Sequence, residues 1–329
     1  MGNRHSAALL SVTVTAPARL HLGFLDLNGG LGRRFGSIGL CIDGLETRIC
    51  VTPSRETHVS GADSQRLHSH LESMRHFLGL DEGYVAEVTK AIPPHIGLGS
   101  GTQMALSAAA AMRRMHGLPL DHQGDAIRLG RGARSGIGIA LFDRGGLVVD
   151  AGRGSEPIAP VISEMHFPER WRVVVVIDPG VQGMHGDEER AAFEKMPKFP
   201  AAEAAHLCRL ILMKALPALA ERHLVHFGSA ISELQARLGD YYAPIQGGRF
   251  RSAAVGKALE LLEREGAVGI GQSSWGPTGF AFIADQAKAE RAVGIVLRES
   301  AFENLDIKVC QGRNRGADVV CHASAVAPS

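Results

Sequence analysis

Between Pro93 and Met112 the chain reads PPHIGLGSGTQMALSAAAAM. Two prolines and the run Gly97-Leu98-Gly99-Ser100-Gly101 pass directly into Met104, Ala105, Leu106 and the Ala108–Ala111 block, which are good helix formers. Glycines let the backbone turn tightly and come close to a ligand. A helix started at such a turn directs unpaired N–H groups and the positive end of its dipole outward. The combination makes an anion site, most often for phosphate. Val85–Ala91 reads as the strand entering the turn and Gly101–His116 as the helix leaving it.

Two phosphate loops fail the spacing. A P-loop needs a lysine after its second glycine, and no lysine lies between Lys90 and Lys195. A dinucleotide fingerprint needs glycines at positions one, three and six, but here they fall at one, three and five, with Thr102 at six.

The rest of the chain mixes both periodicities. Leu10–Ala16 alternates as a strand, and Ile38–Cys50 reads as two strands around Asp43-Gly44. Ser64–Leu78, Asp121–Gly130, Glu203–Leu216 (stopped by Pro217), Leu224–Leu238 and Gln286–Glu299 read as helices. Gly145–Asp150, Trp171–Asp178 and Asp306–Cys310 read as strands, and Gly266–Ala284 as a hairpin around Trp275-Gly276-Pro277. Composition turns to Gly, Pro and polar residues over 152–168, which sets a domain boundary: residues 1–165 carry the phosphate loop, and 166–329 form a second domain. Strands and helices mix in both halves, so the class is α+β or α/β.

Composition removes several functions. A formal net charge of +1 gives no reason for nucleic acid or an anionic membrane as partner. No apolar run approaches the roughly 18 residues of a membrane helix, and no signal-peptide core opens the chain. Five cysteines, never spaced C-x-x-C, argue against a disulfide framework or zinc site, so a reducing cytoplasm is the simple expectation.

The opening stretch resembles the second signature of the GHMP kinase superfamily, Pro-x(3)-Gly-Leu-Gly-Ser-Ser/Gly. Ala16-Pro17-Ala18-Arg19-Leu20-His21-Leu22-Gly23 is similar to the first signature, and Gly269–Gly279 (GIGQSSWGPTG) takes the place of the third. The resemblance implies an N-terminal domain of ribosomal-S5-like type and a ferredoxin-like C-terminal domain, with the ligand between them. Kinases of this superfamily often carry Pro-Ser-Gly-Ile/Val-Asp, whose aspartate is the base. Here the stretch is Arg134-Ser135-Gly136-Ile137-Gly138. A glycine cannot take a proton, and a positioned base contributes roughly 10²–10⁴-fold in rate.

That departure fits one family within the superfamily. Arg19-Leu20-His21, Leu25–Gly29 (LDLNG), Leu31-Gly32-Arg33, Ile96–Gln103, Gly130–Gly138 and Ser273–Thr278 resemble β-ribofuranosylaminobenzene 5′-phosphate synthase. The resemblance implies condensation of 4-aminobenzoate with phosphoribosyl pyrophosphate, loss of carbon dioxide and pyrophosphate, a place in methanopterin biosynthesis, and a homodimer. It implies Mg²⁺ but no pyridoxal lysine or pyruvoyl group. An ATP-dependent small-molecule kinase and a non-catalytic binding protein of the same fold are the competing readings.

The expected phosphate site is Gly97, Leu98, Gly99, Ser100, Gly101 and Thr102, with Arg134, Ser135 and Gly136 opposite. Asp26 stands in an apolar stretch (GFLDL), where a carboxylate is costly unless paired or ligating Mg²⁺; its candidate roles are metal ligand, stabiliser of a cationic ribose, or turn cap. Arg33, in a Gly-rich segment, offers a planar fork for a carboxylate or phosphate. Arg19 and His21 lie two apart on one strand face, and His21 is either a proton donor or a satisfied core histidine. Asn28, Gln103, Ser273, Ser274, Trp275 and His185 complete the expected substrate site, with Trp275 a candidate to stack on the aromatic acceptor.

Overall fold

The alternation seen at Leu10–Ala16 continues well past it. The structure, a computed structural model, describes residues 10–184 and 186–323. Strand β1 runs Leu10–Asp26, with Val12, Val14, Ala16, Ala18, Leu20 and Leu22 fully buried at every second position. Its partner β2 is a single strand, Phe35–Ser54, rather than two. Pro17 faces Glu46 while Ala18 faces Ile42, so Asp43, Gly44 and Leu45 form a bulge inside the strand. Gly44 (φ 87°) supplies the left-handed residue that the bulge requires.

The first sheet has seven strands. Its path is β11 (Asp318–Ala323), β1, β2, β4 (Gly83–Lys90) and β3 (His58–Gly61), while β5 (Leu147–Asp150) pairs with β2 and with β6 (Val161–Met165). Helices α1 (Ser64–Leu78), α2 (Ser100–Met115), α3 (His122–Arg128) and α4 (Ile137–Asp143) accompany it. Met104, Leu106, Ala108 and Ala111 of α2 pack with Val12, Val14 and Ile49 of the sheet.

The second sheet is antiparallel, ordered β10 (Asp306–Gln311), β7 (Arg172–Ile177), β9 (Gly279–Ile283) and β8 (Val268–Gln272). Along β7, Val173, Val175 and Ile177 meet Phe227, Ile231 and Leu234 of helix α8 (Leu224–Gln246). Val174 and Val176 meet α9 (Ala253–Arg264) and α10 (Gln286–Val296) on the other face. Burial on both faces explains why WRVVVVID is apolar without alternation. Helices α5 (Gly186–Lys195), α6 (Ala201–Leu210) and α7 (Leu216–Ala220) fill the connection from β7 to α8.

Pro217 does not stop the helix before it. The chain passes from α6 through a π turn, Ile211–Ala215, into α7, where Pro217 sits in the first turn and its missing N–H is not needed. Strand β11 returns to pair with β1, so the segment after β10 belongs to the first sheet although it follows the second domain in sequence. One core cluster joins Leu20, Leu22 and Leu40 of the first sheet to Val173, Val175 and Phe280 of the second. The arrangement is α+β, two sheets each covered by helices.

Candidate active site

The three signatures, far apart in sequence, meet at one serine. The Ser273 hydroxyl accepts the His21 backbone N–H at 2.9 Å and donates to the Gly97 carbonyl at 2.8 Å. That carbonyl also accepts Arg19 Nη1 at 2.8 Å, and Arg19 N–H donates to the Leu98 carbonyl at 3.1 Å. Gly97 (φ 87°) and Gly99 (φ 82°) both take the left-handed conformation. A Cβ on Gly97 would lie 2.1 Å from the Ser273 carbonyl oxygen, and one on Gly276 would lie 2.1 Å from the Ile96 carbonyl oxygen. The two Gly-rich turns thus touch backbone to backbone, which fixes the start of α2 against the second domain.

In front of this junction lies a cleft of about 260 Å³ lined by Arg19, Arg131, Arg134, Thr102 and Ser135, with His21, Phe24 and Ser274 at one end. Arg131 reaches across the start of α2: its Nη1 lies 3.0 Å from where a Cβ on Gly101 would stand. Its Nη2 lies 3.5 Å from His70 Nε2, and burial lowers its pKa. Guanidinium groups stay charged in proteins, so the cleft is cationic and suits several phosphate oxygens. Ser100 and Thr102 stand in the first turn of α2, where the dipole adds to that field.

His21, Phe24 and Ser274 also line a narrow slot together with Leu238, Tyr242 and Trp275. The His21 ring lies edge-on to Phe24, centroids 4.4 Å apart. Burial, then the charge of Arg19, holds its pKa well below 6.5, so the imidazole is neutral. Its Nε2 is buried without a hydrogen-bond partner among the described residues. Trp275 is itself buried, 4.3 Å from the Tyr242 ring and packed with Met184 and Ala192, so it forms the wall of the slot. A cationic pocket and an aromatic slot therefore share an edge.

The turn Arg134-Ser135-Gly136 faces α2. Gly138, at the position where kinases of the superfamily carry their base, lies in the first turn of α4; a Cβ there would meet Thr102 Cγ2 at 3.3 Å. Gln103 is fully buried and donates Nε2–H to the Gly138 carbonyl at 3.1 Å, so it ties α2 to α4 rather than facing the cleft. Leu98 is likewise a core residue, and only its backbone belongs to the site. The Ser135 hydroxyl is taken up by Ser37 Oγ at 2.6 Å and Asp150 Oδ2 at 3.2 Å. The Arg134 guanidinium is the charged group that this turn brings to the cleft.

Asp150 did not stand out in sequence as a site residue. It is fully buried at the end of β5, and burial raises its pKa while hydrogen bonds oppose that shift. The signal was present: an aspartate closing an apolar strand (LVVD) carries the same cost that singled out Asp26.

Asp26 lies two residues beyond Phe24 on β1, hence on the same face. Its Oδ1 accepts the N–H groups of Asn28 at 2.7 Å and Gly29 at 2.9 Å, which is a turn-capping arrangement. Asn28 donates Nδ2–H to the Phe199 carbonyl and so ties this turn to the second domain. Arg33 is exposed and donates Nη1–H to the Gly152 carbonyl at 3.2 Å. Neither Asp26, Asn28 nor Arg33 lines the cleft itself. His185 lies outside the described residues.

Among the described residues no three His, Cys, Asp or Glu side chains converge as a metal cage. Asp26 is a single carboxylate with one oxygen already committed to backbone. Among the described residues no side-chain set by itself fits a resident Mg²⁺. Among the described residues no helix is long and apolar enough to cross a membrane.

Comparison with known proteins agrees with this geometry. Residues 66–146 match the GHMP kinases N terminal domain and residues 215–300 the GHMP kinases C terminal domain. The mevalonate kinase of Methanococcus jannaschii shares the fold, with a TM-score of 0.67 at 14% identity over 94% of this chain and 100% of that one. The β-ribofuranosylphenol 5′-phosphate synthase of Archaeoglobus fulgidus is 34% identical over 92% of this chain and 97% of its own length. The protein of that name from Methanothermobacter thermautotrophicus is 30% identical over 95% and 99%. With such identity over nearly the whole of both chains, this chain belongs to the β-ribofuranosylphenol 5′-phosphate synthase family of the GHMP kinase superfamily.

Proposed function

We propose that the chain condenses phosphoribosyl pyrophosphate with 4-aminobenzoate, releasing carbon dioxide and pyrophosphate. The observation that carries the reading is the shared edge of the cationic cleft and the aromatic slot at His21, Phe24 and Ser274. Phosphates occupy the cleft against Arg19, Arg131, Arg134 and the start of α2. The slot holds only about 30 Å³, about the share of one water, so the flat acceptor lies at its mouth beside Phe24 and Ser274, and the ribose C1 lies where cleft and slot meet.

The bond from C1 to pyrophosphate oxygen breaks and its electron pair leaves with the pyrophosphate. The ring carbon bearing the carboxylate bonds to C1, with the positive charge shared by the para-amino nitrogen. The bond to the carboxylate then breaks, its electron pair restores the ring, and carbon dioxide departs. Neutral His21 puts no second positive charge beside the cationic ribose. Glycine at 138 is compatible with this chemistry, since no acceptor hydroxyl has to lose a proton. Mg²⁺, where required, is expected to arrive on the polyphosphate with its own waters.

The relatives are named for a phenol product, in which a hydroxyl stands in place of the amino group. This makes 4-hydroxybenzoate the second candidate acceptor, and both substituents feed electrons into the ring. The test supplies phosphoribosyl pyrophosphate, Mg²⁺ and carboxyl-labelled 4-aminobenzoate or 4-hydroxybenzoate and counts released carbon dioxide. Faster release from the hydroxy acid would reassign the acceptor. No release from either, with ATP consumed against an alcohol, would return the chain to the kinases.

A further inference from the structure

Asp150 faces five hydrogen-bond donors, the Ser135 hydroxyl dividing its one proton between Asp150 and Ser37 Oγ at 2.6 Å, and among the described residues Asp150 pairs with no lysine or arginine. Oδ1 accepts Ser37 N–H at 3.1 Å and Gly152 N–H at 2.8 Å; Oδ2 accepts Ser37 Oγ–H at 2.6 Å, Gly136 N–H at 2.9 Å and Ser135 Oγ–H at 3.2 Å. A buried carboxylate is retained only where such donors surround it. These donors come from three separate segments, and two of the segments carry arginines. Gly136 and Ser135 directly follow Arg134, which lines the cationic cleft. Gly152 N–H is held by Asp150 while its carbonyl accepts Arg33 Nη1 at 3.2 Å, and Arg153 pairs backbone to backbone with Arg34.

We propose that Asp150 is the positioning residue of the anion site: its two oxygens lock the Arg134 turn and the Arg33 loop to one point on the first sheet. The polyphosphate therefore meets the Arg134 guanidinium at a preset place in the cleft that Arg19 and Arg131 also line. The carboxylate touches no substrate and acts only through the two turns. The inference rests on the reading of the cleft as a pyrophosphate site given above. It does not depend on which benzoate is the acceptor.

Asp150→Asn keeps the side-chain shape, but one nitrogen replaces an oxygen and a backbone N–H is left facing another donor. Inorganic pyrophosphate serves as probe by titration calorimetry, alongside KM values for both substrates and a chemical unfolding curve. The folded variant is expected to bind pyrophosphate at least tenfold more weakly and to raise the KM for phosphoribosyl pyrophosphate similarly, with kcat and the acceptor KM within threefold. Ser37→Ala, which removes one donor outside the cleft and keeps all three backbone bonds, is expected to weaken pyrophosphate by a smaller factor, and it carries the test if Asp150→Asn does not fold. Unchanged pyrophosphate affinity in a folded Asp150→Asn, or in Ser37→Ala if only that variant folds, would overturn the proposal. So would a loss of kcat in proportion to lost folded protein with both KM values unmoved. A wild-type protein that binds pyrophosphate but releases no carbon dioxide would sink the synthase reading and leave this one standing.

Discussion

The Ser273 hydroxyl joins His21 to Gly97, accepting the N–H of one at 2.9 Å and donating to the carbonyl of the other at 2.8 Å. Ser273 is fully buried, so the His21 N–H has no water to replace it if the hydroxyl is removed. The Gly97 carbonyl keeps its bond from Arg19. Ser273→Ala is therefore expected to cost about 1–3 kcal/mol, the range for one buried donor left unpaired. Denaturant unfolding measures the loss. The KM for phosphoribosyl pyrophosphate should rise as well, since the serine ties the phosphate turn to the second domain.

Two glycines of the site make opposite demands. Gly97→Ala places a side chain at φ 87° with its Cβ 2.1 Å from the Ser273 carbonyl. Backbone strain alone costs of order 1–3 kcal/mol, and the collision adds to it, so little folded, active protein is expected. Gly138→Ala carries no such φ and meets only a Thr102 methyl at 3.3 Å. It should fold and keep activity within a few-fold. Gly138→Asp should not create an ATP-dependent kinase; it puts a negative charge beside Thr102 and the phosphates and should lower carbon dioxide release at least tenfold. Phosphoryl transfer by this variant, followed with labelled ATP, would show the cleft to be a kinase site that lacks only its base.

The legible parts of this molecule were local ones. The Gly97–Gly101 turn and the helix after it follow from five residues and an alanine block, and the structure starts α2 at Ser100. What joined the signatures was not legible, because His21 and Ser273 are 252 positions apart and a serine hydroxyl leaves no periodic trace. Asp43-Gly44 reads as a hairpin by turn chemistry, yet β1 pairs with β2 on both sides of it and tertiary pairing turned it into a bulge. Pro217 was a stop signal only for an α-helix of normal pitch; the π turn before it made room. The return of β11 to the first sheet could not be seen, since nothing in six residues says which of two sheets they join. Asp26 and Arg33 stand out in the sequence by their surroundings, and in the fold their immediate partners are the backbones of Asn28, Gly29 and Gly152.

Acid should weaken the fold through His70. Burial, then the charges of Arg131 and Arg66, hold its pKa at about 4, below the ordinary 6.5. Between pH 6.5 and about 4 the unfolded chain binds a proton that the folded chain does not. The contribution of His70 is therefore present above pH 6.5 and lost as the pH falls through that window. Its full size is about 3 kcal/mol at 1.36 kcal/mol for each pH unit. Buried neutral His21 acts in the same direction. Unfolding free energy measured from pH 7.5 to pH 4.5 should fall more steeply in the wild type than in His70→Gln. Parallel curves would mean that His70 is protonated in the native state.

Asp26→Asn separates the two roles left to that carboxylate. The amide oxygen of asparagine can still accept the Asn28 and Gly29 N–H groups that Oδ1 accepts at 2.7 and 2.9 Å. The turn should therefore survive, with a stability change under about 1 kcal/mol. What is removed is a negative charge on the face of β1 that carries Phe24 to the junction of cleft and slot. Pyrophosphate departure leaves positive charge on the ribose, and a fixed group aimed at developing charge contributes about 10²–10³-fold. Carbon dioxide release should thus fall by about that factor while the KM for phosphoribosyl pyrophosphate changes less than threefold. A folded variant that keeps its turnover would reduce Asp26 to a turn cap and leave the cationic ribose to be stabilised by other groups.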